Sequence, residues 1–163
     1  MKRLILTILS VLTLCGCGGT TKSGIIYQDD FEKGYVKEWT GGELQNQYTY
    51  ESSKYAFKGV PENSDFVPME VWKKYSVNNK TKLSFAYFCE NVDDIIVNIW
   101  SAKHKKNYSL TIRKPAPRQW FVFTEELEAF GPDIGNAINS IHISVPNRNN
   151  PLIVIDNVKL YNE

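Results

Sequence analysis

The strongest constraint on the fold is a period-two alternation of apolar residues that runs from residue 82 to the end of the chain. Successive side chains of a β-strand point to opposite faces, so an alternating segment presents one apolar face to a core. The segments that show it most clearly are KLSFAYFCE, DIIVNIW, NYSLTIR, WFVFT, SIHISV and PLIVIDNVKLY. The alternation predicts β-strands at residues 82–90, 94–100, 107–113, 120–124, 140–145 and 151–161.

Turn residues separate these segments. Gly, Pro, Asn and Asp cluster at 78–79, 91–94, 115–117, 131–133 and 146–151. Regularly spaced short strands with such junctions predict an all-β antiparallel sandwich or barrel. The segment 125–130 is the one helical signal, enough for a turn or two. Pro68 argues against a central strand at 65–72.

The last strand carries an aspartate in an apolar setting. Strict alternation places Asp156 on the same face as Leu152, Val154, Val158 and Leu160, which is the more apolar face. An unpaired buried carboxylate costs several kcal/mol. The sequence therefore predicts a partner for Asp156.

The N-terminus has the pattern of an export signal. A short basic segment, 1–3, precedes the uncharged apolar segment 4–14, which is about half as long as the ~20 residues of a membrane-spanning helix. The following LCGCGG resembles the lipobox of bacterial lipoproteins. That resemblance implies a signal peptide at 1–16, lipidation (palmitate or a similar acyl chain) of Cys17, a tether at 17–24 and one domain at 25–163. An ordinary signal peptide cleaved nearby is the alternative.

These N-terminal features predict a location in the bacterial cell envelope, with the domain in the periplasm or at the cell surface. The residue after Cys17 is Gly18, whereas some lipoproteins kept at the inner membrane have an acidic residue there. The outer membrane is therefore favoured. Contact with the membrane is expected through the lipid anchor only.

Charge and cysteine content narrow the partners further. The chain has 19 basic and 18 acidic residues, a net charge of only +1, whereas a nucleic-acid binder carries a basic excess. We therefore expect no nucleic-acid partner. Lipidation of Cys17 and removal of Cys15 would leave Cys89 without an internal disulfide partner, and its place in an alternating strand predicts a core residue.

Four segments in order resemble jelly-roll carbohydrate-binding modules and the wider galactose-binding-like sandwiches. They are the opening DFEKG at 30–34 with Trp39 after it, LSFAY at 83–87, WFVFTEEL at 120–127 and IDNVKL at 155–160. The resemblance implies a jelly roll of about eight to ten strands with little helix, and a non-catalytic module that binds a polysaccharide or other glycan.

The same resemblance implies a structural calcium between the first and last strands. Carried over residue by residue, Glu32 and Asp156 would supply side chains, and Asp30 a side chain or a carbonyl. Calcium takes 6–8 oxygen ligands and would offset the burial of the carboxylates. The alternative is a β-bulge at Asp156 in which its carboxylate accepts backbone N–H groups or pairs with a lysine.

A glycan site needs aromatic rings and polar side chains on one face. The faces opposite the core residues predict such a platform, formed by Glu90, Asn98, Trp100, Arg113 and His142. Two alternatives remain open. Trp100 could cap the sandwich while Arg113 and Glu90 form a surface ion pair worth at most ~1 kcal/mol. A loop-end site could be lined by Trp39, Tyr48, Tyr50, Trp72 and Tyr75.

Catalytic motifs are sparse. The two histidines, His104 and His142, lie in no metal-binding motif, and the sequence contains no nucleophile elbow, Walker loop or dinucleotide fingerprint. His142 with Arg113 keeps a polysaccharide lyase or glycoside hydrolase as a lesser alternative. The other alternative function is that of a structural or assembly lipoprotein that uses the sandwich for protein contacts.

Overall fold

The computed structural model describes residues 24–163. The expected signal peptide at 1–16, the lipidated Cys17 and the tether up to residue 23 lie outside this part of the chain. The first strand begins at Gly24, one residue before the expected start of the domain. Across the described residues, no helix is long and apolar enough to cross a membrane.

The described chain forms eleven strands and one short helix. The elements are β1 Gly24–Asp29, β2 Trp39–Thr40, β3 Gly42–Gln45, β4 Ala56–Gly59, β5 Phe66–Ser76, β6 Lys82–Glu90, β7 Asp94–Ser101, β8 Lys106–Arg113, β9 Trp120–Glu126, α1 Leu127–Phe130, β10 Ala137–Pro146 and β11 Leu152–Asn162. Every strand pair is antiparallel. The eleven strands include the short β2 and β3, and so slightly exceed the expected eight to ten.

The strands make two sheets. A six-stranded sheet has the order β3-β4-β11-β6-β9, with β1 also paired to β11, and a five-stranded sheet has the order β2-β5-β10-β7-β8. Two stacked antiparallel sheets with almost no helix confirm the predicted jelly-roll β-sandwich.

The apolar faces of the alternating strands form the core, as the sequence predicts. From the five-stranded sheet, Ile99 and Ile141 are fully buried, and from the six-stranded sheet so are Phe85 and Ile153. Each such side chain contributes about 1.5–3 kcal/mol relative to an exposed one. Cys89 is also buried in this core, and burial raises the pKa of its thiol to about 11.

A β-bulge in β11 corrects the predicted faces of the last strand. The pairing with β6 shifts between Asp156 and Lys159, and Asn157 takes a left-handed conformation with φ 51°. Because the bulge adds one residue, Val158 and Leu160 point into the core together with Ile155, while Asp156 points outward. Strict alternation had placed Asp156 with Val158 and Leu160, and that placement is wrong.

Strand β5 runs through Pro68, at a position where only one of its two sides is paired within residues 24–163. Pro68 lies opposite Ser144 of β10 on one side, whereas β2 pairs on the other side only with Glu70 and Val71. The outer side of β5 is therefore unpaired at Pro68, and a missing N–H costs no ladder hydrogen bond there.

The segment after β1 folds back into the core at Phe31. Its φ of 57° is left-handed, and its backbone N–H donates to Asp29 Oδ1 at 3.0 Å. The Phe31 ring is buried and stacks on Phe57 with ring centroids 5.5 Å apart. This turn brings Glu32 to the side of the domain that carries β4 and β11.

One edge of the six-stranded sheet is open. Among the strands of residues 24–163, β9 pairs only with β6. Phe121 and Val122 on this strand are 37% and 55% exposed. Its C-terminal end carries Glu125 and Glu126.

We expect Gly42→Ala to destabilise the sandwich by about 1–3 kcal/mol, because a Cβ there would lie 2.3 Å from the Lys58 carbonyl oxygen and 2.8 Å from the Phe57 ring. Gly24→Ala is the control, since within the described residues 24–163 no atom beyond its own chain neighbours lies within 4 Å of its Cβ position. Urea unfolding of both variants measures the difference. Equal midpoints would contradict the close approach of β3 to β4.

Candidate functional site

The outward face of the five-stranded sheet carries aromatic and polar side chains at adjacent register positions. We call this surface the tryptophan face, and its central residues are Glu70, Trp72, Asn98, Trp100, Ser109, Ser140 and His142. They alternate with buried core residues in β5, β7, β8 and β10. The face therefore follows directly from the period-two pattern.

Two tryptophans occupy one cross-strand row of this face. Trp72 of β5 lies opposite Ser140 of β10, and Ser140 lies opposite Trp100 of β7. Two strand spacings separate the two tryptophan backbones, or about 10 Å. Trp72 is 60% exposed, whereas Ser140 between them is fully buried. The two indoles thus stand on either side of a small polar residue.

The neighbouring row is polar. His142 lies between Glu70 and Asn98, and Asn98 lies opposite Ser109. The Ser109 hydroxyl donates a hydrogen bond to Asn98 Oδ1. Hydroxyl, amide, imidazole and carboxylate groups therefore stand beside the two indoles.

The pKa of His142 is lowered from its ordinary value because burial disfavours the charged imidazole, and the Glu70 carboxylate offsets part of this effect. The imidazole is therefore neutral at neutral pH. Its Nδ1 lies 3.3 Å from Glu70 Oε1, and its Nε2 lies 2.9 Å from the Ser140 hydroxyl.

The structure brings together three of the five predicted ligand residues. Asn98, Trp100 and His142 lie side by side in the two rows. Arg113 is on β8 at the sheet edge, opposite Asp94, and is exposed at the margin of the same sheet.

Glu90 is not part of this face, which corrects the prediction. It belongs to β6 in the six-stranded sheet, where it pairs with Arg118. Alternation along a strand predicts the face on which a residue lies but not the sheet to which its strand belongs. The alternative ion pair between Glu90 and Arg113 is wrong for the same reason.

The proposed loop-end aromatics separate into three groups. Trp39 and Tyr75 are core residues, each 4% exposed. Tyr48 and Tyr50 pack on Phe88 and Trp120 of the six-stranded sheet, with ring centroids 4.8 and 5.4 Å apart. Trp72 alone joins the tryptophan face. The aromatics therefore form no common loop-end site.

The predicted platform did not include four residues of this face, namely Glu70, Trp72, Ser109 and Ser140, and the sequence analysis assigned Trp72 to the loop-end alternative. The alternation in β5 is interrupted by Pro68 and by two consecutive exposed lysines after Trp72. Glu70 and Trp72 do stand two residues apart, opposite the buried Met69 and Val71, and that short pattern is the signal that could have found them.

The Asp156 carboxylate is buried on the opposite side of the sandwich. Its Oδ1 accepts the Asn157 backbone N–H at 2.6 Å, and its Oδ2 has no hydrogen-bond partner among the described residues. Burial raises the pKa of Asp156 to about 6, nearby donors on Ser53, Asn157 and Tyr50 oppose part of the rise, and the Glu32 carboxylate adds to it. Oδ2 is thus the carboxylate oxygen that has no well-formed hydrogen bond within residues 24–163.

Glu32 and Asp30 line a cleft next to this carboxylate. The cleft holds about 300 Å³ and is also lined by Ser53 and Asn157. Glu32 Oε1 accepts the backbone N–H groups of Lys54 and Tyr55, at 2.7 and 3.2 Å. The structure therefore brings the three predicted metal ligands to one side of the domain.

The donor chemistry of this cleft suits calcium rather than a transition metal. Residues 24–163 contain no cluster of three or more His, Cys, Asp or Glu side chains able to hold a metal. A calcium ion would use Asp156 Oδ2 and Glu32, and would complete its shell from hydroxyl and backbone carbonyl oxygens. The Asp156 Oδ2 atom without a hydrogen bond is the observation that fits a calcium ion at this place.

Comparisons with known proteins define the fold. No protein-family model and no curated protein matches this sequence. Among solved structures, the module TmCBM61 in complex with β-1,4-galactotriose is 16% identical, covers 82% of this chain and 94% of its own, and has a TM-score of 0.58. The family 11 carbohydrate-binding module from Clostridium thermocellum, in complex with a β-1,3-1,4-mixed-linked tetrasaccharide, is 18% identical over 82% of this chain and 93% of its own (TM-score 0.56).

A larger enzyme contains the same domain shape. The agarase AgWH50C is 13% identical, with a TM-score of 0.62, and the match covers 86% of this chain but only 26% of the agarase. At these identities the likeness establishes architecture. The chain has the jelly-roll β-sandwich fold of carbohydrate-binding modules.

Proposed function

We propose that this protein binds a glycan chain through the tryptophan face. The observation that carries the proposal is the register of Trp72, Ser140 and Trp100 across three adjacent strands, beside the polar row of His142 and Asn98. Aromatic faces offer apolar area to the C–H surfaces of sugar rings. The adjacent polar groups can pair with sugar hydroxyls.

The charge of the face favours a neutral glycan. Its central rows contain one carboxylate, Glu70, and a histidine whose pKa is lowered, and no lysine or arginine. Arg113 stands at the edge, opposite Asp94. A uronic acid or sulfated sugar would meet a negative centre, so an uncharged chain is the better match.

The structural neighbours agree with this class of ligand. They include complexes with β-1,4-galactotriose and with a mixed-linked tetrasaccharide, and a xylan-binding domain. The shared fold supports a glycan-binding role, while the tryptophan face supplies the site on this chain.

We also propose that the cleft beside Asp156 holds a structural calcium. The unpartnered Asp156 Oδ2 and the neighbouring Glu32 support it. A bound dication would neutralise the buried carboxylate and join β11 to the segment after β1.

The N-terminal pattern supports a third part of the proposal, in which the domain is held at a bacterial membrane surface by a lipid on Cys17. An anchored domain would keep its ligand close to the envelope.

Glycan binding is tested by affinity electrophoresis and calorimetry on a panel of β-1,4-galactan, xylan, mixed-linkage β-glucan, cellulose and agarose. We expect retention by at least one member, and a loss of tenfold or more in affinity for Trp100→Ala, because buried aromatic anchors dominate binding energy. Tyr35→Ala, an exposed aromatic outside the face, is the control and should bind normally. Full binding by a folded Trp100→Ala variant would reject this site.

Calcium is tested by thermal unfolding of chelator-treated protein with and without added calcium. At a hundredfold excess over its Kd, calcium should raise the Tm by roughly 5–10 °C. Asp156→Asn should remain folded and lose this response, because it no longer carries the unpartnered carboxylate oxygen. Asp93→Asn, at an exposed loop carboxylate, should keep it. An unchanged Tm of the wild-type protein would remove the metal from the proposal.

The anchor is tested by fractionation of bacteria that express the full chain. The wild-type protein should stay with the membranes until detergent is added, and Cys17→Ser should move it to the aqueous fraction, because the acylated thiol is lost. Cys89→Ser is the control. Membrane retention of the Cys17→Ser variant would contradict a lipid on that residue.

A further inference from the structure

The Glu70 carboxylate connects the two rows of the tryptophan face. Its Oε2 accepts the indole Nε1–H of Trp72 at 2.8 Å, and its Oε1 lies 3.3 Å from His142 Nδ1. The Trp72 and His142 rings also meet edge to face, with centroids 4.9 Å apart. One carboxylate thus accepts a hydrogen bond from the Trp72 indole and lies close to the His142 imidazole, and both rings would contact a sugar.

The network continues to Ser140, whose hydroxyl lies 2.9 Å from His142 Nε2. Because the neutral imidazole has one N–H, a proton on Nδ1, which faces Glu70, leaves Nε2 to accept from the Ser140 hydroxyl. The nearby carboxylate therefore favours this tautomer of His142.

The order of serine, histidine and carboxylate resembles that of acyl-transfer enzymes, but the surroundings exclude that chemistry. Ser140 is fully buried and lies in register between two tryptophans. Its strand, β10, pairs with β5 on one side and β7 on the other, so its backbone N–H groups serve the sheet. An attacking hydroxyl needs access to the substrate and free donors for the oxyanion, and neither is present here.

We propose that Glu70 is a positioning residue of the glycan site, which holds the Trp72 indole in one orientation and His142 in one tautomer. This inference rests on the proposed glycan binding at the same face. Trp72 is 60% exposed, and an exposed indole without its hydrogen bond would sample several rotamers. Ligand binding would then have to immobilise it, so the carboxylate raises affinity through preorganisation and without touching the sugar.

The first arm of the test needs no ligand. In ¹⁵N-labelled protein we expect slow exchange of the Trp72 indole N–H with water and nitrogen shifts of a His142 imidazole protonated on Nδ1. Glu70→Ala should speed the indole exchange tenfold or more and remove the tautomer preference. Glu43→Ala, at an exposed glutamate of the other sheet, is the control and should change neither. Unchanged exchange in Glu70→Ala would overturn the inference.

The second arm measures affinity for the polysaccharide of the panel above that the wild-type protein retains. Glu70→Ala should bind about threefold to tenfold more weakly at an unchanged Tm. Glu70→Gln keeps one acceptor oxygen for the indole, and should recover the slow exchange and part of the affinity. Full affinity of Glu70→Ala, despite fast indole exchange, would reject the positioning role. If the wild-type protein retains no panel member, the glycan proposal fails while the first arm still judges the orientation of Trp72.

Discussion

Along one side of strand β11 the paired strand changes from β4 to β1, and the six-stranded sheet depends on this change of partner. It pairs with β4 through Val154 and Ile155, and with β1 from Val158 onward, while β6 follows its other side. The bulge at Asn157 stands at the junction, where the ladder to β6 also shifts. The extra residue aims the Asp156 carboxylate away from the core, into the region where Glu32 approaches. The metal chemistry proposed for this region thus follows from a single irregularity in the last strand.

The two outward faces of the sandwich differ in what covers them. On the six-stranded sheet, Tyr48 stacks on Phe88, so the loop before β4 shields the apolar side chains of that surface. In the part of the chain that the structure describes, no such segment covers Trp72, which is largely exposed on the other sheet. An open aromatic face on a rigid antiparallel sheet can accept an extended chain without rearrangement, because the strands beneath it already fix the spacing of its side chains.

Most of the fold could be predicted from the sequence, because alternation within a strand is a local property. The six alternating segments are all strands. Asn98, Trp100 and His142 lie on one face because each of them alternates with core residues of its own strand. The assignment of strands to sheets depends on long-range pairing, about which alternation within one strand carries no information. For that reason the sequence places Glu90 on the wrong sheet. Trp72 and Glu70 were missing from the predicted platform because Pro68 obscures the alternation of β5. Strict alternation also placed Asp156 on the same face as Val158, which is wrong because a bulge shifts the count by one residue.

The edge at β9, which is unpaired within residues 24–163, has a consequence for how this protein behaves at high concentration. A strand with free backbone groups and the exposed side chains Phe121 and Val122 invites an extended segment of another molecule to add to the sheet. Glu125 and Glu126 at the end of the same strand oppose one such encounter, since two copies aligned in parallel would bring identical charges together. Negative charge at this position therefore opposes self-association through the edge strand, and added salt would screen that repulsion.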